Sequence, residues 1–206
     1  MSAPPFVRFE QGEPMKNRSR GNAGLTLIEL MIVVGLIGAI SAIAIPNFMR
    51  YQARSRRSEA YVNVVSIVRA QKSYFAERDS YHDSLAPWPD YVANGGLSTS
   101  KQAWDADSQT HFDELGWKPD GQTMYSYETN TTLNCDGCQL CFTASAYGDV
   151  DGDGFPSAVM YVEPNTEGGV QRECKAKLFG FGTPTRIYNN VPVYNEVEVN
   201  RQTDEF

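Results

Sequence analysis

Glu29 is the only charged residue in an otherwise apolar run from Leu25 to Ile45. A carboxylate is costly to bury in hydrocarbon, so its place near the start of that run points to a partner that needs it. A second group of chemistry-bearing residues is Asp149, Asp151 and Asp153, which alternate between Gly148 and Gly154. Alternating carboxylates supply the hard oxygen ligands that Ca²⁺ takes. The pattern imitates only the first half of a calcium loop, because Met160 stands where the bidentate acid belongs and Glu163 comes later. Asp and Gly are also the residues that tight hairpins use. No cofactor is required by the sequence, and Ca²⁺ is one that these carboxylates could hold. The third group is Cys135, Cys138 and Cys141 at x-x spacing, with Cys174 distant. Zinc or an iron–sulfur cluster could be held by such a set. The fourth-ligand pattern with proline is missing, and disulfides are the plainer expectation for four cysteines in one distal region, with three pairings open. Catalysis has no support. The two histidines, His82 and His111, fall in a segment without periodicity, where solvated loop histidines are expected, and no nucleophile elbow or phosphate loop is present.

The elements that would position these residues follow from the distribution of apolar and charged side chains. The chain has 206 residues, 41% of them hydrophobic, and a net charge of −7. At 1.5 Å per residue, a helix over Leu25–Ile45 is about 30 Å long and matches a bilayer's hydrocarbon core. A cleavable secretory signal has a shorter apolar stretch followed by a small-residue site, whereas here Ala23-Gly24 precedes the run. Cleavage there would leave the apolar segment in the mature chain. Residues 1–24 carry Pro4, Pro5 and Pro14 and should not fold alone. From Met15, a candidate true start, they form a short basic leader with Lys16, Arg18 and Arg20, of the kind retained in the cytoplasm. Arg50, Arg54, Arg56 and Arg57 beyond the other end make charge alone indecisive for orientation, and the distal cysteines favour an oxidising exterior. Removing residues 1–24 makes the remainder more acidic still, which disfavours nucleic-acid binding.

Past Pro46, which should kink the helix or loosen one turn, Ala60, Val64, Ile67, Val68, Gln71 and Phe75 recur on one helical face. The spacing predicts an amphipathic continuation over 46–80 packed on a globular head. Arg50, Arg54 and Arg57 share another face, read as solvated or headgroup-contacting, or as pairing with acids of neighbouring subunits. Residues 81–121, with Pro87, Pro89, Gly95, Gly96 and Trp104, read as a long decorated loop. Strands are predicted at Gln122–Thr129, Gln139–Tyr147 and Ser157–Glu163, the last two forming a hairpin around the Asp-Gly turn. The remaining tail is uninformative about partners. The expected fold class is α+β, a long N-terminal helix packed on an antiparallel sheet within 122–206.

Gly24-Leu25-Thr26-Leu27-Ile28-Glu29-Leu30-Met31-Ile32-Val33-Val34, with Ala42-Ile43-Ala44-Ile45-Pro46-Asn47-Phe48, closely resembles the start of type IV pilins and of type II secretion pseudopilins. The stretch Ala70–Asp79 is also similar to the helix end of long major pilins. The resemblance implies the pilin fold and a role as filament subunit, stored in the inner membrane and then extracellular, serving twitching motility, adhesion or DNA uptake. It implies cutting after Gly24 by a prepilin peptidase, methylation of the new amine on Leu25, and pairing of Glu29 with the terminal amine of a neighbouring subunit. Most members carry phenylalanine where this chain has Leu25. The implied partners are identical or homologous pilin subunits, the peptidase and an inner-membrane assembly platform. Among the cysteine pairings, Cys141 with Cys174 is favoured because pilin C-terminal loops are often tied to a sheet strand. A secretion pseudopilin, or an unassembled membrane-anchored protein with a calcium-dependent head, are the alternatives.

Overall fold

The computed structural model describes residues 24–90, 96–131, 140–165, 186–188 and 191–199. The leader through residue 23, the proposed start at Met15, Cys135, Cys138, Cys174 and most of the tail lie outside the described residues. The chain divides into two units at Ile43/Ala44.

In the first unit, helix α1 begins at Leu27. The helix as a whole runs Leu27–Arg78, and its assignment is unbroken through Pro46. Among the described residues it is the one helix long and apolar enough to cross a membrane. Leu25, Leu27, Ile28, Met31, Val34, Ile37 and Ile40 all lie exposed.

In the second unit, the predicted helical face is the one that is buried. Ala60, Val64, Ile67 and Gln71 are fully enclosed and Val68 nearly so. The four apolar ones cluster with Tyr127, Phe142, Ala144, Ala146, Val159 and Tyr161. Those residues belong to a four-stranded antiparallel sheet of order β1-β2-β3-β6, made of Ser126–Asn130, Phe142–Gly148, Ser157–Glu163 and Val197–Val199. Pairing aligns Tyr127 with Ala146 and Val159, and Thr129 with Ala144 and Tyr161, so these rows share the face that meets α1. Small side chains on central β2 leave room for the helix. The β2–β3 hairpin turns through the Asp-Gly segment, as its residue types predict. The first strand starts four residues later than predicted, since Thr123 is instead bridged to Gln102. A fourth strand, β6, and a separate hairpin of β4 (Arg186–Tyr188) with β5 (Val191–Val193) were not foreseen.

The segment 81–121 is more built than a decorated loop. It carries a short helix α2, Ala106–Thr110, capped by Asp105, whose carboxylate accepts from Ser108 N at 2.8 Å. Trp88 and Tyr127 exchange main-chain hydrogen bonds at 2.7 and 2.8 Å. Trp117 packs edge to face on Trp104 and Tyr127, and Phe112 lies tilted against both tryptophans. The Trp117 indole N–H donates to Ser66 Oγ of α1 at 2.6 Å.

Both histidines depart from the solvated-loop expectation. His111 stacks on Trp88 with ring centroids 3.9 Å apart. The His82 ring nitrogen Nε2 lies 2.7 Å from His111 O, and its main chain is held by Gln71. Aromatic neighbours and carbonyl acceptors draw these rings inward, so both have structural roles.

Candidate functional site

The N-terminal site is built by the first turn of α1. Leu30 N donates to Thr26 O, which makes Thr26 the residue that caps the helix. The Thr26 N–H and hydroxyl both donate to Glu29 Oε2, at 2.8 and 2.7 Å, and Glu29 N donates back to Thr26 Oγ1 at 3.3 Å. This is a reciprocal capping box, which satisfies amide donors that the helix start would otherwise leave open. The Thr-x-x-Glu spacing of Thr26 and Glu29 is the sequence signal for this box. Among the described residues Glu29 Oε1 accepts no hydrogen bond. The carboxylate is therefore fixed by one oxygen and offers the other. Gly24 and Leu25, where processing is expected, lie just before the helix, and Leu25 is exposed.

The carboxylates of Asp149, Asp151 and Asp153 come together in the β2–β3 turn, with ligand oxygens within 4.8 Å of one another. Asp149 is buried and accepts from Gly152 N at 2.8 Å and Gly154 N at 3.1 Å. Gly152 and Gly154 have φ of +79° and +86°, a backbone region that disfavours side chains. Burial, together with neighbouring Asp153 and Asp149, raises the Asp151 pKa. Arg56 of α1 secures the turn through a 3.0 Å bond to Val150 O. The donor set suits a hard cation, while Asp149 already serves the turn's own amides. Glu163 is committed elsewhere, bonded by the Tyr161 hydroxyl and paired with Lys72 Nζ at 3.1 Å.

Of the cysteines, Cys141 is described. It is fully buried just before β2 and disulfide-bonded. The basic residues after Pro46 divide. Arg56 serves the turn and Arg57 is half-buried beside Tyr61, whereas Arg50 and Arg54 are exposed.

Sequence comparison adds to this geometry. The chain is 60% identical over 62 residues to the type IV major pilin protein PilA of Myxococcus xanthus, a match covering 30% of this chain and 28% of the relative. The N-terminal third of this chain is similar in sequence to type IV pilins. A fimbrial protein of Neisseria meningitidis serogroup B is 37% identical over 79 residues, 38% of this chain and 42% of the relative. The major pilin PilE1 of Neisseria gonorrhoeae is 36% identical over 76 residues, 37% and 42% respectively. The matched stretches span less than half the length of these pilins. No protein-family model matches the chain. The long helix with an apolar stretch and the antiparallel four-stranded sheet are those of the α+β pilin fold.

Proposed function

We propose that the chain is a structural subunit of a type IV pilus, held in the inner membrane through Leu25–Ile45, processed after Gly24 by a prepilin peptidase and added to the filament by a membrane assembly platform. The observation that carries this reading is the apolar run at the start of α1, whose only carboxylate, Glu29, is held at one oxygen by Thr26 and open at the other. A free amine on Leu25 of a neighbouring subunit is a cation of the right kind for Glu29 Oε1. Two charges that are each costly in lipid become compatible when paired, which favours addition in a single register. Such a filament would serve twitching motility, adhesion or DNA uptake.

Glu29→Ala and Glu29→Gln are expected to leave the protein in the membrane fraction and to abolish filaments recovered by shearing, identified by microscopy and peptide mapping. Normal filament yield from either variant would refute the pairing. Filaments that appear only as short, unsheared structures accompanying secretion would move the chain to the pseudopilins.

The convergence of three carboxylates supports a second, separable proposal, a weak Ca²⁺ site at Asp149, Asp151 and Asp153. Titration calorimetry of the purified chain should give heat at millimolar Ca²⁺ that is absent from Asp151→Asn/Asp153→Asn; no heat from the native chain removes the site.

A further inference from the structure

Between Glu29 and Glu59 the chain has no acidic residue, yet it has four arginines, all placed after the apolar run ends. The head uses two of them. Arg56 holds Val150 O at 3.0 Å, and Arg57 is half-buried beside Tyr61. Arg50 and Arg54 are left exposed, one helical turn apart, and neither pairs with an acid among the described residues. Around them Phe48, Met49 and Tyr51 are 64%, 61% and 69% exposed.

We propose that Phe48, Arg50, Tyr51 and Arg54 form an interfacial belt that binds anionic lipid headgroups while the subunit is stored in the membrane. The inference rests on the membrane-anchored reading of α1. Its chemistry is that of a boundary between hydrocarbon and water. An amphipathic tyrosine ring sits at headgroup depth, and arginine stems lie along apolar surface while their guanidinium groups reach phosphate. A guanidinium fork matches phosphate oxygens in pairs. These residues lie within nine positions of Ile45, the last residue of the run. An acidic patch on a second copy of the chain would also attract the two arginines. It would not account for the exposed aromatic and apolar side chains interleaved with them so close to a bilayer-length segment.

The test uses the full chain reconstituted in phosphatidylcholine vesicles containing a trace of spin-labelled phosphatidylglycerol or spin-labelled phosphatidylcholine. The motionally restricted fraction of each label is read by electron paramagnetic resonance. A preference of about fivefold for phosphatidylglycerol is expected, the factor that one arginine near a lipid surface supplies. Arg50→Gln/Arg54→Gln should bring it close to unity, Arg69→Gln, further along α1, should leave it in place, and added salt should weaken it. No preference in the native chain overturns the belt, as does a preference that survives the double substitution. Loss of filaments in the double variant with an unchanged lipid preference would assign the arginines to a second copy instead. A chain that carbonate strips from the vesicles overturns the anchored reading with the belt, whereas a retained chain without lipid preference overturns the belt alone.

Discussion

Gln71 is the polar member of an otherwise apolar buried face, and its replacement tests how α1 is joined to the head. Its Nε2 donates to His82 O at 2.6 Å and its Oε1 accepts from His82 N at 2.9 Å, a two-bond clamp on one residue's main chain with no solvent exposure. In Gln71→Leu the volume is nearly kept. The His82 carbonyl retains the Thr129 hydroxyl at 2.9 Å, but the His82 N–H loses its acceptor. An unsatisfied buried donor costs about 1–3 kcal/mol, so a loss near 2 kcal/mol is expected. For a domain of this size that lowers Tm by about 4–8 °C. Gln71→Glu should be worse at neutral pH, since it buries a charge and sets a carboxylate oxygen against His82 O; a loss of about 3–4 kcal/mol corresponds to a carboxyl pKa raised by two to three units. Protonation restores one donor and one acceptor. The folded-state pKa of the introduced Glu is therefore raised, so its stability deficit is smallest below the unfolded pKa near 4 and grows as pH rises through the folded value. Urea unfolding of the detergent-solubilised chain, followed by fluorescence of Trp88, Trp104 and Trp117, measures both variants. A Gln71→Leu protein within about 0.5 kcal/mol of the native chain, or a Gln71→Glu deficit that does not change with pH, would refute the clamp.

Two further outcomes follow from local geometry. A Cβ at Gly148 would lie 2.9 Å from Tyr125 Cδ1 and 3.0 Å from Met124 O, so Gly148→Ala should cost about 1–3 kcal/mol in the same unfolding assay. Asp105 caps α2, and hydrogen bonding from Ser108 holds its carboxyl below the usual range. Its contribution should be complete above the unfolded pKa and fade as pH falls through the lower folded one. Asp105→Ala should lose up to about 1 kcal/mol at pH 7 and progressively less in acid, by thermal melts across pH.

The parts of the fold that could be read from residue order are those where one neighbouring surface decides each side chain. The period of Ala60, Val64, Ile67 and Val68 reports a helix against a single sheet, and the Asp-Gly turn between two apolar runs reports a hairpin. Gln71 fitted that face by position, but its reason lies in the main chain of His82, which no side-chain pattern reveals. The segment 81–121 reads as a decorated loop because the partners of Trp88, Trp104, Phe112 and Trp117, among them His111, Ser66 and Tyr127, are scattered along the chain. β6 was missed because a three-residue strand is too short for alternation to register, although Val197-Glu198-Val199 obeys it. At the N-terminal site, Glu29 stood out by charge alone, while Thr26 needed the helix start to be fixed before its spacing acquired meaning.

The sheet has an unused side only in appearance. Glu128, Ser145 and Met160 lie across from one another on the face turned away from α1, and all are fully buried, with the Tyr147 hydroxyl donating to Glu128 Oε1 at 2.6 Å. Every position of β1 and β2 is thus closed to solvent. A reactive dye, an epitope or a short insertion placed on those strands would have to break the fold before it could be reached. Asp151–Phe155, exposed throughout and ending in a Phe155 that is 69% accessible, is where such a handle can be added to the chain with the strands left intact.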